Sequence, residues 1–291
     1  MTNTVKFGSA GNPESFYAQG GKSSLEMPKW LAGMGLDAYE YQCTRGVKIS
    51  AESAEKLGAL ARENSIDLSV HSPYYINISG TDPEKLENSI NHIMQTARAA
   101  ANMGASRVVV HMGSAMGMTR RDAMDISKRT IHRVLAQMDG ENLGDVHICP
   151  ETMGKINQMG TIEEVLELCA LDERLIPTID FGHLNSRGMG NLTRPEDFEH
   201  IIDMIYKSLG SWRAANFHCH FSKIEYTKGG ERKHLTFEDE KYGPQFEPLA
   251  AVIIKHSLTP VIICESAGTQ AEDAVIMKNI LKSYSDKGER K

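Results

Sequence analysis

The stretch Arg107-Val108-Val109-Val110-His111, three valines closed by a histidine, decides the fold class. β-Branched residues favour strands, and a short apolar run without alternation reads as a strand buried on both faces, as in parallel sheets. On its N-terminal side, Asn88–Ala101 puts Ile90, Ile93, Met94, Ala97 and Ala101 on one helical face; on its C-terminal side, Ala123–Met138 does the same with Met124, Ser127, Ile131, Val134, Leu135 and Met138. Further strands are predicted at Val5–Gly8, Ala38–Tyr41, Leu68–His71, His147–Glu151, Pro177–Asp180, Ala215–His220 and Val261–Glu265, and further helices at Ser53–Glu63, Thr161–Leu171, Pro195–Leu209, Pro244–His256 and Ala271–Tyr284. Strands that alternate with helices form parallel β-α-β units. Eight such strands predict an α/β protein of (β/α)8 TIM-barrel class, one domain over residues 1–291, with residues 285–291 as a frayed polar tail. Ser222–Phe246 shows little apolar periodicity and reads as a long loop, functional or disordered.

The totals narrow the class of protein. The chain has 291 residues, 41% hydrophobic and 24% charged, an ordinary globular balance able to bury a full core. A net charge of -6 argues against a general nucleic-acid coat, which would be basic. The five cysteines (Cys43, Cys149, Cys169, Cys219 and Cys264) are odd in number and form no CxxC pair, so a disulfide framework is not expected. Met1–Ser9 lacks the parts of a signal peptide, and no apolar run approaches the roughly 18 residues of a membrane span. A cytoplasmic, monomeric protein without membrane contact is the resulting expectation.

The informative pattern lies at the strand ends. His71 ends the third predicted strand, His111 the fourth, Glu151 the fifth and Asp180 the sixth, with His183 in the following turn; His218 and His220 close the seventh, and Glu265 ends the eighth. In a barrel all these ends point at one mouth, where active sites sit. Taken singly, His71 or His111 is more often a capped or core histidine, Glu151 or Glu265 a helix cap or solvated loop residue, and Asp180 the cap of the next segment. Together they differ, because three carboxylates converging on a mouth with several imidazoles require a positive partner. Imidazole with carboxylate suits zinc, and also manganese or iron, and more than one ion would match the arrangement used for in-line phosphate displacement. His92, His132, His200 and His256 fall in helical patterns and His147 begins a strand, so these read as surface or packing residues. Cys219 and Cys264 alternate away from the mouth and Cys149 lies deeper, so packing is expected of all three.

At HSPYYIN (His71–Asn77), VVHMGS (Val109–Ser114), PETMGK (Pro150–Lys155), IDFGH (Ile179–His183), HFSK (His220–Lys223) and ICES (Ile263–Ser266), the chain resembles the endonuclease IV family of apurinic/apyrimidinic endonucleases, three-zinc barrels of the xylose-isomerase-like type. Their order and spacing match the family across most of the chain. The resemblance implies that His71, His111 and Glu151 hold one zinc, that Glu151, Asp180, His220 and Glu265 hold a second with Glu151 as bridge, and that His183 and His234 bind a third. It also implies cleavage of the phosphodiester 5′ to an abasic sugar, leaving a 3′-hydroxyl and a 5′-deoxyribose phosphate. Glu151 becomes the catalytic carboxylate, and Tyr74, Asn77, Arg232 and Lys233 lie at positions near the DNA. Three departures stand out. The family's third zinc takes an Asp-x-His motif, whereas here Glu231 stands three residues before His234 and Arg232 occupies the expected acid position. Gly8-Ser9-Ala10-Gly11 lacks the expected histidine, and Gln42–Ile49 shows little likeness to the family's DNA-inserting loop.

Three functions compete. A zinc-dependent hydrolase of DNA repair needs at least two ions, and Arg45, Lys48, Lys155, Arg187, Lys223, Lys228, Arg232 and Lys233 are placed for phosphates or are ordinary solvated charges. A one-metal sugar isomerase or epimerase of the xylose-isomerase-like type uses a Glu, Asp, His, Glu set like Glu151, Asp180, His220 and Glu265, without need of His71, His111, His183 and His234. A non-catalytic binding protein would keep the metals and lack turnover.

Overall fold

A computed structural model describes residues 4–288. Eight parallel strands close into a barrel: β1 (Lys6–Ala10), β2 (Ala38–Gln42), β3 (Asp67–His71), β4 (Arg107–His111), β5 (His147–Glu151), β6 (Thr178–Asp180), β7 (His218–Phe221) and β10 (Val261–Cys264), with β10 returning to pair with β1. The ring is covered by α1 (Glu14–Ala18), α2 (Met27–Gly33), α3 (Ala51–Glu63), α4 (Pro83–Met103), α5 (Arg120–Gly140), α6 (Ile162–Cys169), α7 (Phe181–Arg187), α8 (Pro195–Ala215), α9 (Glu247–His256) and α10 (Gln270–Gly288). This is the (β/α)8 TIM barrel that the sequence predicts.

Alternation along each strand divides the residues between two layers. Val108, Val110, Ile148, Ile179, Cys219, Ile262 and Cys264 point outward and join the large core under the helices. Fully burying each such aliphatic side chain contributes about 1.5–3 kcal/mol. Inside the ring, Val109, Cys149 and Ile176 form a small separate apolar cluster. Higher up, the interior holds buried polar side chains, among them Glu40, Ser69, Glu151, Asp180, His218 and His220. All five cysteines are buried and free, as packing residues should be. Among the described residues, no helix is long and apolar enough to cross a membrane.

Four sequence expectations need correction. The segment Ser222–Phe246 is not a structureless loop: it contains an antiparallel hairpin, β8 (Ile224–Thr227) and β9 (Gly230–His234). Its strands are polar and short, so no apolar period marked them. Ala215 belongs to α8, and β7 starts only at His218. The short helices α1, α2 and α7 were missed, being five to seven residues long and thus too brief for a helical period to register. Finally, α10 continues past Ser285 to Gly288, while residues 289–291 of the predicted tail lie outside the described residues.

Candidate metal centre

Strand register assembles the mouth. In β4 and β5, His111 stands directly beside Glu151; in β6 and β7, Asp180 stands beside His220; in β10, Ile263 pairs with His220, so that Glu265 follows two residues higher. Parallel pairing therefore converts spacing along the chain into adjacency across the ring. Glu151 is the common member. Its Oε2 lies 3.1 Å from His111 Nε2 and 3.4 Å from His71 Nε2, and its Oε1 lies 3.0 Å from His220 Nδ1. Glu265 Oε1 approaches His220 Nδ1 at 3.5 Å. His71, His111 and Glu151 form one group of donors within 4.8 Å of one another, and Glu151, Asp180, His220 and Glu265 form another.

The donor chemistry fits divalent metal. Ligand atoms on a tetrahedral zinc at 2.0–2.1 Å stand about 3.3 Å apart, close to the separations found. Glu151 and Asp180 are fully buried, yet Glu151 Oε2 and Asp180 Oδ2 receive no aligned hydrogen bond, which would be costly if nothing else compensated them. Asp180 does two jobs at once. Its Oδ1 caps α7 by accepting from the His183 amide at 2.7 Å, and its Oδ2 remains turned into the cluster. The histidines are also oriented from behind. His71 Nδ1 donates to Ser72 O at 2.8 Å, and His183 Nδ1 donates to Thr152 O at 2.9 Å, which leaves each Nε2 facing the centre.

The third group is built by the hairpin. His183 Nε2 lies 3.4 Å from Glu231 Oε2, and His183, Glu231 and His234 converge within 4.8 Å. Glu231 and His234 are three apart in one strand and would face opposite sides of a regular ladder. The register shift resolves this: Lys233 pairs with Glu225 and Glu231 pairs with Tyr226, so Arg232 is an extra, bulged residue. The bulge returns Glu231 to the face of His234 and leaves Arg232 and Lys233 on the face of Glu225, at 2.6 and 3.4 Å. The out-of-register acid thus reaches the site. Glu231 N and Ile156 N donate to Gly154 O and Gly229 O, at 3.2 and 3.1 Å, and tie the hairpin to the loop after β5. A Cβ on Gly154 would come within 2.6 Å of the Glu231 side chain, so this contact requires glycine. His234 is fixed by β9 and by Ser222 Oγ, 2.8 Å from its Nδ1.

Without ions, protons occupy the same cluster. Burial pushes the Glu265 carboxyl up to about 8; His220 opposes the rise, while Glu151 and Asp180 add to it. Burial works against a charged His71, but Glu151 raises it to about 9; for His183, Asp180 and Glu231 do the same, also to about 9. Glu151 is held well below the usual carboxylate range: burial opposes this, and His220 and His111 overcome it.

Around the mouth the outcome is mixed. Tyr74 is exposed on the loop after β3, but the Asn77 amide is engaged: its Oδ1 accepts from Ser79 N and Ser114 N, and its Nδ2 donates to Ser114 O, bracing two loops. Arg187 donates to the carbonyls of Met153, Lys155, Ile156 and Gln158, and Lys223 to those of Phe237 and Asp239, so both hold loops together. Arg45, Lys48, Lys155 and Lys228 are exposed. Sequence reasoning missed Glu40, which sits fully buried inside the ring beside His218 and His220. The signal was there, since an acid at the central, inward position of the strand AYEYQ is out of place in a barrel interior. A cavity of about 440 Å³ lined by Tyr75, Asn77, Lys85 and His92 includes none of the candidate ligands, and the donor geometry is the better guide to chemistry.

The chain belongs to the xylose isomerase-like TIM barrel family, whose model matches residues 28–282. Within that class it is 31% identical to an uncharacterized protein of Methanocaldococcus jannaschii over 272 residues, 94% of this chain and 95% of the relative. It is also 31% identical to a "probable endonuclease 4" of Acholeplasma laidlawii over 163 residues, 50% of this chain and 54% of that protein, so this match spans about half the relative's length. Endonuclease IV from Thermus thermophilus superposes with a TM-score of 0.67 at 16% identity, covering 97% of both chains. A D-tagatose 3-epimerase-like protein superposes with a TM-score of 0.69 at 20% identity, also over 97% of both. These two likenesses establish the shared fold.

Proposed function

We propose that the protein is a zinc-dependent phosphodiesterase of DNA repair that hydrolyses the bond 5′ to abasic sites. One observation carries this reading: three donor groups meet at one mouth, two of them sharing Glu151 and the third adjoining through His183, whose Nδ1 lies 3.5 Å from Glu151 Oε1. A one-metal enzyme has no use for His71, His111, His183, Glu231 and His234 as further sets. His71, His111 and Glu151 would hold the first ion, Glu151, Asp180, His220 and Glu265 the second, and His183, Glu231 and His234 the third. Bound ions, zinc with manganese or iron at some sites, would supply Lewis acidity toward a phosphate oxygen and lower the pKa of a water. The protein's own contribution is to fix the spacing through Glu151 and to exclude solvent from Asp180 and His220. Exposed Tyr74, Tyr75, Met116, Ile156 and Met189 ring the mouth on four loop segments and offer faces to unstacked bases, while Arg45, Lys48, Lys155 and Lys228 offer charge to phosphates.

A second reading, a one-metal sugar isomerase or epimerase, is favoured by the thin phosphate track: Arg187 and Lys223 are committed to carbonyls, and Arg232 and Lys233 to Glu225. Zinc-loaded protein incubated with an end-labelled abasic duplex and, separately, with a panel of ketoses and aldoses discriminates the two. Chelator-sensitive nicking that leaves a 3′-hydroxyl, with two or three ions per chain, is the expected result. Sugar turnover with one ion would replace this reading by the second, and bound ions with neither activity would make the barrel a binding protein.

A further inference from the structure

Beneath the mouth, four side chains run in sequence from the lower end of β4 to the metal cluster. Arg107 Nη1 lies 3.4 Å from His218 Nδ1, His218 Nε2 lies 2.9 Å from Glu40 Oε2, and Glu40 Oε1 lies 3.1 Å from His220 Nε2. His220 Nδ1 then faces Glu151 at 3.0 Å. We propose that Arg107, His218 and Glu40 are positioning residues that set the tautomer of His220, so that its Nδ1 is stripped of hydrogen and presented to the metal. The proposal rests on the reading of the His220 cluster as a metal site.

The direction of the chain follows from which groups can only donate. A guanidinium has five N–H donors, no acceptor, and does not deprotonate in proteins. His218 Nδ1, facing it, must therefore be the bare acceptor, and the single ring hydrogen sits on Nε2, which donates to Glu40. A ring with one bare and one hydrogen-bearing nitrogen is neutral, so the geometry on either side of His218 assigns the uncharged tautomer. Glu40 is ionised and can only accept. Ser69 Oγ, Gln42 Nε2 and His218 Nε2 all turn donors toward it. It accepts from three donors, His218 Nε2 and Ser69 Oγ on Oε2, the latter at 2.9 Å, and Gln42 Nε2 on Oε1 at 3.1 Å, and His220 Nε2 also lies 3.1 Å from Oε1. The His220 contact is bent off the N–H line, and no other acceptor reaches that nitrogen. With no ion present Nδ1 donates to Glu151 Oε1 at 3.0 Å; a bound ion would displace that hydrogen, and the hydrogen kept on Nε2 by Glu40 leaves Nδ1, the atom aimed at Glu151 and Glu265, as the ligand. A carboxylate that already accepts from three donors is a hub that orients imidazoles and not a ligand for a further ion, although Glu40, His218 and His220 are close enough together to suggest one.

Long-range 1H–15N correlation spectra test the chain directly. In metal-free protein at pH 7, His218 should show hydrogen on Nε2 alone. In zinc-loaded protein, His220 should show hydrogen on Nε2 and a metal-shifted Nδ1. Glu40→Gln replaces one acceptor by a donor and should lower affinity for Co2+ at this site by about 10- to 100-fold, the usual effect of losing a group that orients a ligand, with a changed visible spectrum. Ser69→Ala removes a donor from Glu40 without touching either histidine and should leave Co2+ affinity within about twofold, the spread of a single context-dependent bond. Hydrogen on His218 Nδ1, a Glu40→Gln protein with unchanged Co2+ affinity and spectrum, or an equal loss in Ser69→Ala would overturn the proposal. If the unsubstituted protein binds no Co2+, the metal reading fails, and the His218 spectrum still decides the direction of the chain.

Discussion

Stripping the ions with a chelator should cost the barrel much of its thermal margin, and the loss should grow with pH. An ion held at about a thousand times its dissociation constant adds about 4 kcal/mol to the folded state. The two groups joined through Glu151 therefore add about 8 kcal/mol if both fill independently. In a chain somewhat longer than 250 residues, each kcal/mol moves the midpoint by about 2 °C, so Tm should fall by about 16 °C on chelation. The pH dependence follows from the groups that hold protons in the metal-free cluster. Glu265 is raised to about 8 by burial, and His71 and His183 are raised to about 9 by their carboxylate neighbours despite burial. Between pH 7 and 9 the metal-free folded state thus binds more protons than the unfolded chain, and its stability falls as pH rises. Metal binding expels these protons, so the loaded protein is spared that fall, and metal affinity itself climbs over the same window. The gap between loaded and metal-free Tm should widen from pH 7 to pH 9. Differential scanning calorimetry with chelator and with zinc, paired with titration calorimetry in buffers of different ionisation enthalpy, reads both quantities. Equal midpoints with and without zinc at pH 8, or zinc binding with no proton release at pH 7, would refute the reasoning.

Glu151→Gln keeps the shape and removes the shared charge; elemental analysis should show both adjoining ions lost and nicking reduced by at least about 100-fold, comparable to the removal of a main electrostatic contributor in a catalytic site, with the circular dichroism spectrum retained. Near-normal turnover in that variant would end the bridging role. His234→Ala and Glu231→Gln should each lower metal content by about one ion, the one assigned to the hairpin's own ligand set, whereas Arg232→Ala, on the opposite face of the bulge, should not; unchanged content in the first two would leave a two-metal centre. His220→Ala should abolish metal binding at the second set and activity with it, and His218→Ala should only weaken both; the reverse order in a chelator competition would show that the register of β7 is misassigned.

Much of the candidate site was legible as a cluster because a parallel barrel follows a simple rule: residues at the ends of consecutive strands share one mouth. His71, His111, Glu151, Asp180, His220 and Glu265 could be named from their place after apolar runs, and pairings such as His111 with Glu151 and Asp180 with His220 carry out that rule. The sequence also kept Cys219 and Cys264 out of the site by alternation and Cys149 by its depth in the strand, and all three are buried. Three things required the tertiary structure. Glu40 lies more than a hundred residues from the histidines it joins, and only closure of the ring brings β2 within reach of β7. Glu231 stands one residue out of register, and only the bulge at Arg232, set by hairpin pairing and not by composition, turns it toward His183. The charges of Arg187 and Lys223 look free in a linear reading, but the loops fold back over them so that carbonyl groups from distant residues claim their donors. Local spacing determines which face a residue occupies, while partners separated by long stretches of chain are set by closure, loop packing and strand register.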